Sequence, residues 1–205
     1  MKQFFLDGAP VPFEDGDTLM AAATRAGHQV PHLCWHPQLA PSGACRLCTV
    51  QVDGRMTAAC TTRASEGLEV HNHTPELTAL RRQLTQMLFV EGNHYCPGCE
   101  KSGNCELQST AYALGMADMR HDLLMPQRPV DASHPDLWLD HNRCILCKLC
   151  LRASRELDGK DVFAIGGYGA NSADGKAWLL RGPLTSMSMG SATAIICSIS
   201  RVRST

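Results

Sequence analysis

The residues best equipped for chemistry in this sequence are its 11 cysteines. A thiol can attack, pair with another thiol, or bind a soft metal as its thiolate. Here the cysteines fall into three groups: Cys34/Cys45/Cys48/Cys60, then Cys96/Cys99/Cys105, then Cys144/Cys147/Cys150 with Cys197 far behind. An odd count suits a disulfide framework poorly. The opening MKQFFLDGAPVPF is not a secretory leader, because Asp7 and the Gly8/Pro10 turn interrupt any apolar run. The expected location is therefore the cytoplasm, where disulfides are rare and metal binding is the better reading of dense cysteine.

The first group has the spacing C-x10-C-x2-C-x11-C. Four thiolates are the complement of a [2Fe–2S] cluster, and the order (one distant Cys, a CxxC, a remote Cys) follows the plant-type pattern with a longer first gap. Gly43 and Ala44 let backbone wrap closely around inorganic sulfur. Zinc also takes four thiolates, but its structural sites use two close pairs and only one is close here. The third group, Cys144-Ile-Leu-Cys147-Lys-Leu-Cys150, places three thiolates on a [4Fe–4S] cubane, as in bacterial ferredoxins. Its fourth ligand must come from elsewhere. Cys197 is the remaining cysteine, though Ser198 follows it where such a cysteine usually precedes Pro, and a buried free thiol is the alternative. The middle group offers three cysteines, with His94 two residues before Cys96. Histidine can replace cysteine on cluster iron; His71, His73 and His121 are the competing histidines. On this reading eleven cysteines and His94 serve one [2Fe–2S] and two [4Fe–4S] clusters, and no cysteine is left over.

These ligands need elements to hold them. Residues 1–73 read as a small α+β domain. Phe4–Leu6 and Val11–Phe13 flank the turn Asp7-Gly8-Ala9-Pro10, and Thr49–Val52 and Met56–Ala59 flank Asp53-Gly54, a strong hairpin signal. Asp17 or Thr18 caps a helix over Leu19–Ala26 that stops at Gly27. Leu68–Val70 adds a last strand. Two hairpins around one helix suit a ferredoxin-like β-grasp sheet carrying the [2Fe–2S] site. Residues 74–121 form a second, helical domain. Its first helix, 74–92, is capped by Thr74 with Pro75 at the first position, and Leu77, Leu80, Leu84, Met87 and Leu88 share one face. A second helix covers Glu106–Gly115. Residues 122–205 form a third, ferredoxin-like domain. Its opening stretch, 122–137, reads as a Pro-rich connector, and Val162–Ile165 pairs with Trp178–Leu180 across a Gly-rich turn.

Two long segments carry a resemblance: EGNHYCPGCEKSGNCELQ (Glu91–Gln108) and DASHPDLWLDHNRCILCKLCLRASRELDGKDVF (Asp131–Phe163). Together they resemble the small diaphorase subunit of NAD-reducing, bidirectional [NiFe] hydrogenases. That subunit is itself similar to the N-terminal part of the large iron–sulfur subunit of respiratory complex I. The resemblance spans about residues 1–168. It implies a β-grasp [2Fe–2S] domain, a Cys3His [4Fe–4S] domain and a ferredoxin-like [4Fe–4S] domain. It also implies partners: a flavin subunit that handles NAD(H), and hydrogenase small and large subunits. The single residue between His94 and Cys96 looks like the hydrogenase branch, whereas complex I relatives generally place three there.

The remaining composition limits other functions. The formal net charge is −1 and only 5% of residues are aromatic, so the chain offers neither a basic footprint nor stacking platforms for nucleic acid. The longest uncharged stretch, Gly182–Ser200, is rich in Ser, Thr and Gly and reads poorly as a membrane span. No GxGxxG or GKS/GKT phosphate loop occurs, so FMN, NAD and the Ni–Fe centre are expected on partner subunits and no catalytic residue on this chain. Arg46, Lys101, Arg143 and Lys148 neighbour ligands in sequence and are candidates for stabilising reduced clusters, or else plain surface charges. The expected function is an electron-transfer subunit of an oxidoreductase complex interconverting H2 + NAD+ with NADH and a proton. The same module could serve an NAD-dependent formate dehydrogenase or a complex I-like enzyme, and a zinc-stabilised interaction module is the reading from another class.

Overall fold

The structure is a computed structural model that describes residues 2–127, 130–131, 139–160 and 163. They divide into two compact units, residues 2–85 with 113–116, and 86–112 with the described residues from 117 onward.

The first unit is built on a five-stranded sheet in the order β2-β1-β5-β3-β4. Strand β1 (Gln3–Leu6) turns directly into β2 (Ala9–Pro12). Asp7 and Gly8 both take positive φ, 51° and 83°, the backbone of a two-residue hairpin turn that matches strand twist. The turn is thus shorter than the sequence suggests, and Ala9 and Pro10 belong to the strand. Pro10 is tolerated because β2 lies at the sheet edge, where no ladder bond needs its missing N–H. The second hairpin, β3 (Thr49–Val52) and β4 (Arg55–Ala58), closes on Asp53-Gly54, again with two positive φ values, 47° and 78°. Strand β5 (Glu69–His71) lies between the hairpins, parallel to β1 and antiparallel to β3.

Helix α1 (Leu19–Arg25) shares one core with this sheet: Leu19, Met20, Ala22 and Ala23 are buried with Phe4, Val11, Val50 and Val70. Thr18 is its cap, the hydroxyl accepting from the Ala21 N–H at 3.1 Å. Asp17 instead accepts from the Glu14 N–H at 2.8 Å and pairs with Arg25. The N–H groups of Leu19 and Met20 donate to the carbonyls of Thr62 and Ala59, at 2.9 and 3.0 Å. The helix start therefore clamps the turn that carries Cys60, while satisfying donors that a helix N-terminus leaves open.

Helix α2 (Pro75–Glu91) begins in the first unit and ends in the second. Thr74 caps it, accepting from the Leu77 N–H at 3.1 Å. Its buried face differs from the leucine face read from the sequence. Leu77, Arg81 and Thr85 are buried at successive i+4 positions, Leu80, Leu84 and Leu88 are half-buried, and Met87 is exposed. The cause is Arg81, whose guanidinium reaches four acceptors. Nε donates to the Leu47 carbonyl (3.0 Å), Nη1 to the Asn72 carbonyl (2.7 Å), and Nη2 to the Thr49 carbonyl (2.8 Å) and Asn72 Oδ1 (2.7 Å).

In the second unit α3 (Glu106–Ala113) buries Leu107, Gln108 and Ala111. The stretch read as a connector contains β6 (Val130–Asp131), which pairs with β7 (Leu139–Asp140). Two-residue strands are too short to show periodicity. Helix α4 (Leu149–Glu156) starts inside the third cysteine group and buries Arg152, Ala153 and Ser154. The expected pairing of Val162–Ile165 with Trp178–Leu180 lies outside the described residues, apart from Phe163, which is buried.

Candidate metal centres

None of the ten described cysteines is in a disulfide. The first group converges around one end of the sheet. Cys34 and Cys45 lie in the loop after α1, Cys48 immediately precedes β3, and Cys60 follows β4. Cys34, Cys48 and Cys60 are buried and Cys45 is half-buried. The sulfurs associate in two pairs. Cys48 Sγ lies 3.3 Å from Cys60 Sγ, and Cys45 hydrogen-bonds Cys34, its N–H also pointing at Cys34 Sγ at 3.4 Å. The hydrogen bond from Cys34 holds the Cys45 thiol down to about 5, and that from Cys48 holds Cys60 at about 7. Cys34 and Cys48, as the donors in buried pairs, are pushed up. The charge of Cys45 acts on both Cys48 and Cys60, so the two pairs adjoin.

Arg46, between Cys45 and Cys48, takes φ 58°. This left-handed backbone is costly for a residue other than Gly and is typical of functional loops. Gly43 lies at φ 65°, and a Cβ there would come within 3.3 Å of Thr61 next to Cys60.

The middle group sits between α2 and α3. Cys96 opens a 3-10 turn, Cys96–Gly98, that delivers Cys99, and Cys105 immediately precedes α3. All three are half-buried. Burial pushes the Cys96 thiol up, and the charges of Cys105 and Cys99 push it further, so the three face one region. His94 follows the end of α2. Its ring meets Phe89 edge-on, centroids 5.4 Å apart, and lies over Gly92 so closely that a Cβ there would fall 2.0 Å from Nε2. Of the competing histidines, His71 is exposed in β5, and His73 is exposed between β5 and α2, with Nδ1 2.8 Å from Asp7. His121 is exposed in the second unit.

Cys144 follows a 3-10 turn, His141–Arg143, whose start is capped by Asp140 accepting from the Asn142 N–H at 2.9 Å. Leu146 and Lys148 both take positive φ, 59° and 60°. Through this bend the Leu146 N–H points at Cys144 Sγ, 3.3 Å away. Cys147 is buried, and Cys150 lies in the first turn of α4. Burial and the charges of Cys147 and Cys144 push the Cys150 thiol up to about 12. Cys197 lies outside the described residues.

The donor sets fit clusters. The two-plus-two sulfur arrangement of the first group matches a two-iron centre. Backbone amides aimed at sulfur belong to such sites as well.

Sequence reasoning singled out charges beside ligands, and the structure sorts them. Arg46 is exposed, and Lys101 and Lys148 are half-buried. Arg143 lies 3.3 Å from Asp140 and 3.8 Å from Glu100, and its charge also acts on Cys96. The cation missed is Arg81. Nothing in its neighbourhood marks it, because its partners are carbonyls far away in the chain.

Fold and sites define an iron–sulfur electron-transfer protein. Residues 1–75 match the family described as a 2Fe-2S iron-sulfur cluster binding domain. Residues 81–120 match the NADH-ubiquinone oxidoreductase-G iron-sulfur binding region. The chain is 40% identical over 171 residues to the gamma subunit of the NAD-reducing hydrogenase HoxS of Cupriavidus necator, covering 83% of this chain and 73% of that subunit. It is 30% identical over 167 residues to the alpha subunit of the NADPH-Fe(3+) oxidoreductase of Geobacter sulfurreducens, covering 80% of this chain but only 20% of the longer relative. Among solved structures it resembles a chain of the crystal structure of an NAD+-reducing [NiFe]-hydrogenase in the H2-reduced state. There the TM-score is 0.83 at 49% identity, covering 92% of this chain and 80% of the other. The chain belongs to the family of gamma subunits of NAD-reducing hydrogenases.

Proposed function

We propose that this chain carries single electrons through three clusters between a flavin subunit that handles NAD(H) and the small and large subunits of a [NiFe] hydrogenase, in the cytoplasm. The complex then interconverts H2 + NAD+ with NADH and a proton. FMN, NAD and the Ni–Fe centre reside on the partners. A bound cluster supplies reversible one-electron transfer, which joins a two-electron hydride reaction to a distant metal site.

Within this reading Cys34 and Cys45 would hold one iron of a [2Fe–2S] cluster and Cys48 and Cys60 the other. His94, Cys96, Cys99 and Cys105 would hold one [4Fe–4S] cluster, and Cys144, Cys147, Cys150 and Cys197 the second. The domains would be residues 1–73, 74–121 and 122–205, one per cluster. The observation that carries the proposal is the two-plus-two pairing of four sulfurs, with Cys48 Sγ 3.3 Å from Cys60 Sγ. Two thiolates per iron is what a [2Fe–2S] centre requires. The test is affinity purification of the tagged chain from its native host. Co-purifying flavin and nickel with H2-dependent NAD+ reduction are expected. A complex with flavin and NAD(P)H oxidation but no nickel and no hydrogen activity would transfer the module to another NAD-linked enzyme.

A further inference from the structure

Arg81 is 2% exposed, and no carboxylate among the described residues forms an ion pair with it. Burying a guanidinium costs a great deal unless an anion compensates it. Its four hydrogen bonds go to neutral acceptors, and two of these, the carbonyls of Leu47 and Thr49, flank Cys48 on either side. The other two come from Asn72, itself 1% exposed and held by its side-chain N–H to the Gln29 carbonyl at 3.2 Å. The cation is therefore fixed in place, and it grips the backbone of one candidate ligand.

We propose that Arg81 is a built-in positive charge that makes the [2Fe–2S] centre easier to reduce. The inference rests on the assignment of Cys34, Cys45, Cys48 and Cys60 to that centre. Four thiolates give the loaded centre a net negative charge, which joins that of Asp7 in compensating the guanidinium. Reduction adds one electron, breaks no bond and makes the centre more negative by one charge. A cation held nearby in a low-dielectric interior lowers the cost of that step. Burial holds the guanidinium below its usual range, and the negative charges of Cys48 and Asp7 are what oppose this. An arginine keeps its proton across the physiological range regardless, so the charge is constant.

The test is an EPR-monitored redox titration of the cluster-loaded full chain in three forms: wild type, Arg81→Lys and Arg81→Gln. Gln removes the charge while keeping a donor, and Lys keeps the charge while losing the fork. The expected result is a [2Fe–2S] signal in all three, with Arg81→Lys within threefold of wild type in its reduction equilibrium. Arg81→Gln should be at least tenfold harder to reduce, about 59 mV more negative for one electron. An unchanged potential in Arg81→Gln, or loss of the cluster from both variants, would overturn the proposal and leave Arg81 a purely structural clasp. If Arg81→Gln alone loses its cluster, Arg81→Lys decides: a potential within threefold of wild type supports the charge role, and a tenfold drop overturns it. Absence of any [2Fe–2S] signal in the wild type would instead defeat the ligand assignment itself.

Discussion

Replacing Gly92 with Ala isolates the role of His94 without touching a donor atom. Gly92 does not adopt positive φ, so the backbone accepts a Cβ without strain. Just beyond a helix end, exchanging Gly for Ala at a compatible conformation stabilises by about 0.4–1 kcal/mol through the unfolded chain. The new methyl, however, would fall 2.0 Å from His94 Nε2, 2.3 Å from Cδ2 and 2.8 Å from Cε1. To reach even a close van der Waals contact the ring must retreat by about 1 Å or more. A ligand set works only when held to within about 0.5 Å of its productive geometry. Gly92→Ala should therefore leave the fold intact, or slightly more stable by thermal melting. It should also cost the middle [4Fe–4S] cluster or shift its potential, as His94→Ala should. Iron content and EPR redox titration of the two variants, side by side, are the assay. A Gly92→Ala chain with full iron and an unchanged signal would show that the His94 ring does not need its present seat.

Other expectations follow from single contacts. Asp7 accepts from the Asn72 N–H at 2.8 Å and pairs with His73; burial pushes its carboxyl up, but these bonds outweigh it and hold it below the usual range. A depressed carboxyl contributes stability that is present above its unfolded value and is lost as pH falls through the folded one. Asp7→Asn should thus lower stability near neutral pH by up to ~1 kcal/mol, with the gap to wild type closing below about pH 4 in thermal melts. A gap that stays constant with pH would assign the effect to packing. Cys197→Ser should remove one [4Fe–4S] signal and about four irons while leaving the [2Fe–2S] signal intact. Full iron in that variant would send the fourth ligand elsewhere.

Local rules made much of the fold legible. Asp53-Gly54 is a turn whose two positive φ values few other residue pairs adopt, so Thr49–Val52 could be read with its correct bounds. Thr18 and Gly27 likewise bracket α1 by chemistry that acts within one turn. Pro10 misled because it looks like turn punctuation. It is a strand residue only because β2 happens to be an edge, which depends on the whole sheet order. The buried row of α2 was hidden for the same kind of reason. Leucine spacing predicts an apolar stripe, but Arg81 wins the central place through carbonyls at 47, 49 and 72 that only the tertiary fold brings together. Helix α4 was overlooked because its first turn is also a ligand loop, with Lys148 in left-handed backbone just before it. The cysteine groups were legible from spacing alone. The pairing of Cys34 with Cys45 and of Cys48 with Cys60 was not, since it depends on how the loop after α1 folds against the β3–β4 hairpin.

One [2Fe–2S] and two [4Fe–4S] clusters would set the metal content of the chain. Anaerobically purified full chain should contain about ten iron atoms and an equal amount of acid-labile sulfide. Zinc in place of iron, with no labile sulfide, would mean that the chain holds no iron–sulfur cluster.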